Sequence, residues 1–412
     1  MRILVLSFYY APDLSAGSFR TTALVDAFMK LRPPGLELDV LTTSPNRYGS
    51  FASEAPEIER HDGLTIRRLA LPRHSSDVAG QARAFGVFAR GVLAELRGRR
   101  YDLVFGTSSR LMTAALAALA ARRSGARLYL DIRDIFTDTI GDVFPSSYSW
   151  ALKAAFLRLE GWTVRSADKV NLVSKGFREY FAGRYPEVPL GFISNGIDPE
   201  FLAPVAGPEL PQAVPGGHYA GPIRVVYAGN IGAGQGLHVV LPGLAQRLAG
   251  RATFRIIGDG GRRAQLEAAL TSARCDNVEL LPPVPRARLI EEYRAADVLF
   301  LHLNDYDAFR KVLPSKLFEY AALGKPVWAG VAGYAAEFIR EELENAAVFA
   351  PCDVGAAVES LDTLRLVHTP RPAFVARYRR EQLMQELVRD VLAVAAGPGR
   401  RSAGRAVPPR AS

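Results

Sequence analysis

Short runs rich in Val, Ile, Leu and Phe alternate along this chain with longer Ala- and Leu-rich segments whose apolar positions recur at helical spacing. The first pattern reads as buried strands, the second as helices. In the first half, strands are predicted over 3–8, 36–43, 64–69, 102–107, 127–132 and 169–174. Helices are predicted there over 21–31, about 80–99, 110–123 and 150–165, with another starting near Lys175. From 187 to 222 the pattern dissolves into prolines and glycines, as a linker would. It restarts with strands over 223–229, 253–258, 278–281, 297–303 and 326–330, and with helices over 237–249, 262–273, 286–296 and 315–323. This alternation means parallel sheets covered by helices on both faces. The expected fold class is α/β, in two doubly wound, Rossmann-like halves. The expected divisions are a first domain over 1–190, a linker over 191–222, a second domain over 223–371, a final amphipathic helix over 372–395 and a disordered basic tail over 396–412.

Composition narrows the class. Of 412 residues, 49% are hydrophobic and 23% charged, an ordinary globular balance that excludes wholesale disorder. Two cysteines, Cys275 and Cys352, make no disulfide framework and suggest a reducing compartment. The opening MRILVLSFYYAP reads as a first strand rather than a signal peptide. The longest strongly apolar run, 111–121, is about half of what a spanning helix needs. Of the net charge of +9, four units lie in the tail at Arg400, Arg401, Arg405 and Arg410. The remainder is too mild to argue for nucleic acid and fits an anionic small ligand or an anionic membrane surface.

In open parallel sheets, ligands bind beyond the carboxyl ends of the strands, so candidate chemistry is sought in those loops. The six histidines show no metal-ligand spacing, and HExxH, CxxC, GxSxG and P-loop patterns are absent. The first loop, SFYYAPDLSAGSFR, places Gly17 and Ser18 at a helix start, a ready anion site or a plain turn. It carries no GxGxxG, which argues against a nicotinamide oxidoreductase. GNIGAGQG (Gly229, Asn230, Gly232) and GDGG (Gly258, Gly260) each end a strand and open a helix, where glycine permits close approach to phosphate or sugar. In PSKLFEYAALGKPV, Ser315 is expected to cap a helix, with Lys316 in its first turn suited to a diphosphate and Glu319 one turn on suited to a ribose diol. In YLDIRDIFTD, Asp131, Arg133, Asp134 and Asp138 cluster at a strand end, as site residues or as a buried Asp131–Arg133 pair. From Gln81 to Arg100, Arg83, Arg90 and Arg97 line one helical stripe opposite Phe85, Phe88, Val92 and Leu96. Such a helix either lies on an anionic bilayer or packs on a sheet with its arginines in water.

These residues carry a resemblance. In order and spacing, SFYYAPDLSAGSFR, LVSKG, SNGID, YAGNIGAGQGL, IIGDG, RAADVLFLHL and PSKLFEYAALGKPV resemble the GT-B glycosyltransferases, specifically retaining nucleotide-sugar transferases of glycosyltransferase family 4, over about residues 1–390. The chain is most similar to the branch that builds O-antigen or capsule units on lipid carriers, the N-acetylfucosamine-transferase-like one. The resemblance implies two domains facing across a cleft, with the final helix crossing back to the first. It implies that the second half binds a nucleotide sugar, usually a UDP-sugar, as substrate, with no tightly bound cofactor or metal. Donor contacts would come from Gly17, Gly229, Asn230, Gly232, Gly258, Gly260, Ser315, Lys316, Leu317 and Glu319, with Val284 and Arg286 flanking the base. Asp131, Lys316 and Glu319 would be catalytic, and Ser18, Arg133 and Asp134 would lie on the acceptor side. The acceptor would be a polyprenyl-diphosphate-linked or other saccharide, and the enzyme would work in the cytoplasm against the inner face of the plasma membrane. Two departures stand out: Lys311 replaces the first of the family's paired Glu residues, and Gln235 stands where a Lys is frequent. The rival readings are a non-catalytic partner subunit of the same fold and a UDP-sugar epimerase.

Overall fold

The computed structural model describes residues 1–13, 15–45, 55–72, 78–108, 111–135, 146–202 and 221–397. The chain forms two compact units, Met1–Ser194 with Gln382–Ser412, and Asn195–Glu381.

The first unit is built on β1 (Arg2–Leu6), α1 (Ala16–Leu31), β2 (Glu37–Thr43), β3 (Ile58–His61), β4 (Leu64–Leu69), α2 (Val78–Glu95), β5 (Leu103–Ser108), α3 (Leu111–Ser124), β6 (Arg127–Ile132), α4 (Ser146–Ser166), β7 (Lys169–Leu172), α5 (Arg178–Arg184) and β8 (Leu190–Gly191). Its sheet runs β3-β4-β2-β1-β5-β6-β7-β8. Every pairing is parallel except β3 with β4. That hairpin was not expected from the periodicity. Its signal is Asp62-Gly63, with Gly63 at φ +69°, a turn that only a residue tolerant of positive φ makes cheaply. The central strands β1 and β5 are buried on both faces, so they read as continuous apolar runs, whereas β4 nearer the edge alternates buried and half-buried residues.

The second unit comprises β9 (Ile223–Ala228), α6 (Leu237–Arg247), β10 (Ala252–Ile257), α7 (Arg263–Ser272), β11 (Val278–Leu281), α8 (Arg286–Ala295), β12 (Val298–His302), α9 (Lys316–Ala322), β13 (Val327–Gly330), α10 (Tyr334–Glu342), β14 (Ala346–Phe349), α11 (Val354–Leu361) and α12 (Pro372–Arg377). Its six strands are all parallel, in the order β11-β10-β9-β12-β13-β14. The order reverses at β9 and β12, which are paired only at Val225–Val298 and Val226–Leu299. Beyond those residues the two strand ends are unpaired with each other, at the switch point beyond which open parallel sheets bind their ligands.

The expected linker is corrected in part. Leu190–Gly191 is β8 of the first sheet, and Ile197 and Phe201 are core residues of the second unit. Residues 203–220 of that stretch and the tail from 398 lie outside the described residues, as does Asp138. The expected single final helix is two: α12 and α13 (Arg380–Ala396). Phe374 of α12 packs in the second unit, whereas Met384, Leu387, Val388 and Val391 of α13 are fully buried in the core of the first. Tyr129 and Lys169 both donate to Asp390, at 2.6 Å each, and tie α13 to the sheet. Among the described residues no helix is long and apolar enough to cross a membrane. The helix expected to about 99 ends at Glu95; the apolar side of α2 is spent on the core, with Ala84, Phe88 and Val92 buried, as is Leu96 in the turn after it, while Arg83, Arg90 and, in that turn, Arg97 are exposed.

Candidate active site

In the second unit, the loops after β9 and β10 lie backbone against backbone. Gly229 donates to Ile257 O at 2.8 Å, Ile231 to Asp259 O at 2.8 Å, and Arg262 to Ile231 O at 2.9 Å. This explains the glycines of GDGG. A Cβ on Gly258 (φ +151°) would fall on the Gly229 carbonyl, and one on Gly260 (φ +157°) on the Ile231 carbonyl. Gly258 and Gly260, expected at the donor, are required here by the neighbouring loop. The 229–236 loop has its own ties. Tyr227 donates to Asn230 O at 2.7 Å, and Gln235 Oε1 accepts from Asn230 Nδ2 at 2.7 Å and Gly232 N at 3.3 Å. Gln235, a departure from the expected Lys, thus holds the loop in shape with its amide, and the Asn230 side chain is engaged with it. Gly234 lies beneath the Phe309 ring.

Lys316 opens α9 and is half-buried. Its Nζ fills the space that a Cβ on Gly229 (φ +147°) would need, and it lies 5.2 Å from the centroid of the Tyr227 ring. Burial pushes its ammonium below the usual lysine value, and Glu319 opposes the shift. One turn on, burial raises the Glu319 carboxyl to about 7, against the pull of Arg286, Arg380 and Lys316, with Asp198 adding to the rise. The helix is fixed at its far end by the buried Arg371, which donates to Ala321 O at 3.2 Å and Lys325 O at 3.1 Å. Leu317, Phe318, Tyr320 and Ala321 fasten α9 into the core.

Three expectations change. Ser315 makes no side-chain cap bond, because it already has helical dihedrals. Leu317 is fully buried, so its side chain belongs to the core and only its backbone can face a ligand. Arg286 is committed to Asp198, which also pairs with Arg380, and it stacks over Phe201 at 5.0 Å rather than standing free for a base. Val284 packs against the same core cluster. The sequence reading missed Asp198, Arg380, His302 and Asn304. The signal for Asp198 was its place in SNGID, an acid beside Ile197 in a segment taken for linker.

In the first unit, Ser15 caps α1 by accepting from Ser18 N at 3.1 Å. The Arg133 guanidinium occupies the space a Gly17 Cβ would need, so these two expected residues meet. Ser18 is buried. Burial lifts the Asp134 carboxyl to about 6, partly offset by Arg133. Asp131, expected to be catalytic near the sugar, is 1% exposed. It accepts from Arg20 at 2.8 and 2.9 Å, from Asn171 at 2.8 Å and from Thr107 at 3.3 Å. The same Arg20 donates to Ser194 O at 2.7 Å and Ile193 O at 2.9 Å. Burial would raise the Asp131 carboxyl, but Arg20, Asn171 and Arg133 outweigh it and hold it below the usual range. Asp131 therefore has no open face for a substrate and serves as the anchor of a buried network. The partner is Arg20 rather than the expected Arg133. The signal was present: Arg20, Leu24 and Phe28 share one buried helical stripe, and a charge on such a stripe needs a counter-charge.

Known proteins place both halves. Residues 22–196 match the family described as "Glycosyl transferase 4-like domain", and residues 212–369 match "Glycosyl transferases group 1". The chain is 26% identical over 349 residues, 79% of its length and 82% of the relative's, to WcaI of Escherichia coli K12, whose name assigns it to colanic acid biosynthesis as a glycosyl transferase. Its architecture is similar to that of sucrose-phosphate synthase from Thermosynechococcus elongatus, with a TM-score of 0.72 at 15% identity, covering 95% of this chain and 99% of that one. It is also similar to Alr3699/HepE of Anabaena, solved in complex with UDP-glucose, with a TM-score of 0.65 at 17% identity, covering 95% and 100%. Trehalose 6-phosphate synthase of Burkholderia multivorans shares the architecture at a TM-score of 0.67 and 14% identity, covering 100% and 99%.

Proposed function

We propose that this chain, a glycosyltransferase of the GT-B type, moves a sugar from a UDP-sugar to a lipid-linked saccharide acceptor in the building of a bacterial surface polysaccharide, with retention of configuration. The observation that carries the reading is the amine of Lys316 packed on Gly229 at the switch point of the second sheet, with Glu319 one turn further along the same helix. Uridine is supported by the Anabaena neighbour, whose complexes are with UDP and UDP-glucose. A polysaccharide product is supported by the name of the Escherichia coli relative.

The chemistry follows from charge. As the glycosidic bond breaks, the leaving diphosphate gains negative charge. The Lys316 ammonium and the N–H groups of the glycine loop stabilise it where it forms. Ionised Glu319 accepts two hydrogen bonds from the ribose diol. With Asp131 enclosed by Arg20 and Asn171, retention is assigned to attack on the face the nucleotide leaves rather than to a covalent intermediate. Arg133 and Asp134 stand on the acceptor side. No tightly bound cofactor enters the reading.

Calorimetric titration tests it. UDP should bind and GDP should not, and Glu319→Ala should weaken UDP by about ten- to a hundredfold, the worth of hydrogen bonds to a charged group. Binding of neither nucleotide would overturn the reading. The diol favours the ionised carboxylate, so its binding lowers the carboxyl pKa from about 7. UDP affinity in the wild type should accordingly rise between pH 6 and 8 more steeply than in Glu319→Gln.

The proposed place of work is the inner, anionic membrane surface, reached through the exposed Arg83 and Arg90 of α2 and Arg97 of the turn that follows it, since the apolar side of that helix is already buried. Vesicles containing phosphatidylglycerol should co-sediment the protein at low salt. A variant with the three arginines changed to Glu should stay in the supernatant, and equal binding by both would sink the membrane assignment.

A further inference from the structure

The 3-10 turn Ala233–Gln235 is held from beneath by residues of the neighbouring strand end that the proposed function leaves unused. Three consecutive carbonyls of the turn are engaged. Asn304 Nδ2 donates to Ala233 O at 2.9 Å, Asn304 N to Gly234 O at 2.9 Å, and the His302 ring meets Gln235 O at 2.7 Å through Nδ1. The other ring nitrogen, Nε2, accepts from Cys352 N at 3.0 Å, which leaves the proton on Nδ1 and makes that atom the donor to Gln235. Cys352 adopts φ +63°, and its thiol donates to Asn304 Oδ1 at 3.2 Å. His302 is 1% exposed, with its ring centroid 6.0 Å from that of Phe300 and 6.1 Å from that of Phe349.

These contacts bridge β9 and β12, the two strands at which the sheet order reverses. There the strands part after Val226 and Leu299, so no ladder bond holds the turn to β12. A trans peptide sets its N–H opposite its C=O. Fixing the Ala233 carbonyl against Asn304 therefore turns the Gly234 N–H the other way. Among the described residues, the N–H groups of Ala233 and Gly234 have no protein acceptor, while those of Gln235 and Gly236 are satisfied inside the turn.

We infer that His302 and Asn304 are positioning residues for the donor diphosphate: they lock the 233–236 turn so that its two unused N–H groups face the phosphates, with the Cys352 turn bolting the pair from outside. The inference rests on the nucleotide-sugar reading above. It assigns a purpose to a neutral histidine in an otherwise apolar layer and to an asparagine whose amide reaches across the switch point.

The test uses the full-length protein and two probes, UDP and uridine, with thermal unfolding as a fold control. Asn304→Ala leaves its backbone bond to Gly234 and removes the side-chain bond to Ala233 O together with those that Asn304 Oδ1 accepts from Cys352 and Asp305 N. It should weaken UDP about tenfold, the worth of about one hydrogen bond, and leave uridine affinity within about twofold. His302→Asn keeps a donor near the Nδ1 position and should lose less UDP affinity than His302→Ala; it also serves if Asn304→Ala does not fold. A role confined to general stability would move UDP and uridine together, and that result overturns the inference. So does UDP binding by Asn304→Ala that matches the wild type. Wild-type protein that binds no UDP overturns the nucleotide-sugar reading itself, and is recognised before any variant is compared.

Discussion

Replacing Lys316 by Met should lower the rate of sugar transfer by about a hundred- to a thousandfold, the usual worth of one preorganised charge-stabilising donor. Met keeps the length and apolar stem of the side chain and removes only the ammonium. The loss should fall on the step in which the diphosphate leaves, and therefore on kcat as well as on donor affinity. Stability should not fall with it. The ammonium lies against Gly229 at a cost in solvation that depresses its own pKa, and Met does not carry that cost. Lys316→Arg should not restore activity, because Nζ already fills the space beside the Gly229 Cα and a guanidinium is wider than an ammonium. The measurement is UDP release with a saturating acceptor, beside thermal unfolding of both variants. Turnover by Lys316→Met within about threefold of the wild type would remove Lys316 from the mechanism.

Arg20→Met should destabilise the first unit by about 3–5 kcal/mol, as should Asp131→Ala, since each leaves a buried charge without its partner. Both side chains are 1% exposed. Arg20 also satisfies the carbonyls of Ile193 and Ser194, so its loss orphans backbone acceptors as well. The double variant Arg20→Met/Asp131→Leu should recover much of the loss, as replaced buried ion pairs commonly do. The pH dependence has a definite sign. The Asp131 carboxyl is held low in the folded protein, so its contribution is present above the unfolded carboxylate value of about 3.9 and is lost on further acidification. Urea unfolding at pH 7 and in acid measures both effects. If Asp131→Asn instead kept full stability and abolished transfer, the carboxylate would be catalytic after all and the structural assignment would fail.

The two Rossmann-like units were legible from the apolar runs, because a strand buried on both faces is written locally, residue by residue. The GNIGAGQG and PSKLFEY segments were legible as candidate binding loops because glycines at strand ends and a Lys–Glu pair one helical turn apart are local patterns. The break between α12 and α13 was not legible: a continuous amphipathic pattern hides the fact that Phe374 packs in one unit and Met384 in the other. The antiparallel β3 hairpin was missed because Ile58–His61 is a four-residue edge strand carrying three polar residues.

By itself, then, the sequence determined the strand and helix rhythm, the glycine loops and the helix that carries Lys316 and Glu319, all of which depend on residues within a few positions of one another. Only the tertiary structure decided the partners. Arg20 meets Asp131 across 111 positions, and Arg380 reaches Asp198 across 182. Asn304 reaches Ala233 across 71. A buried charge or amide must be paired wherever it lies, but which group pairs with it is set by the order of strands in the sheet, and local periodicity does not encode that order.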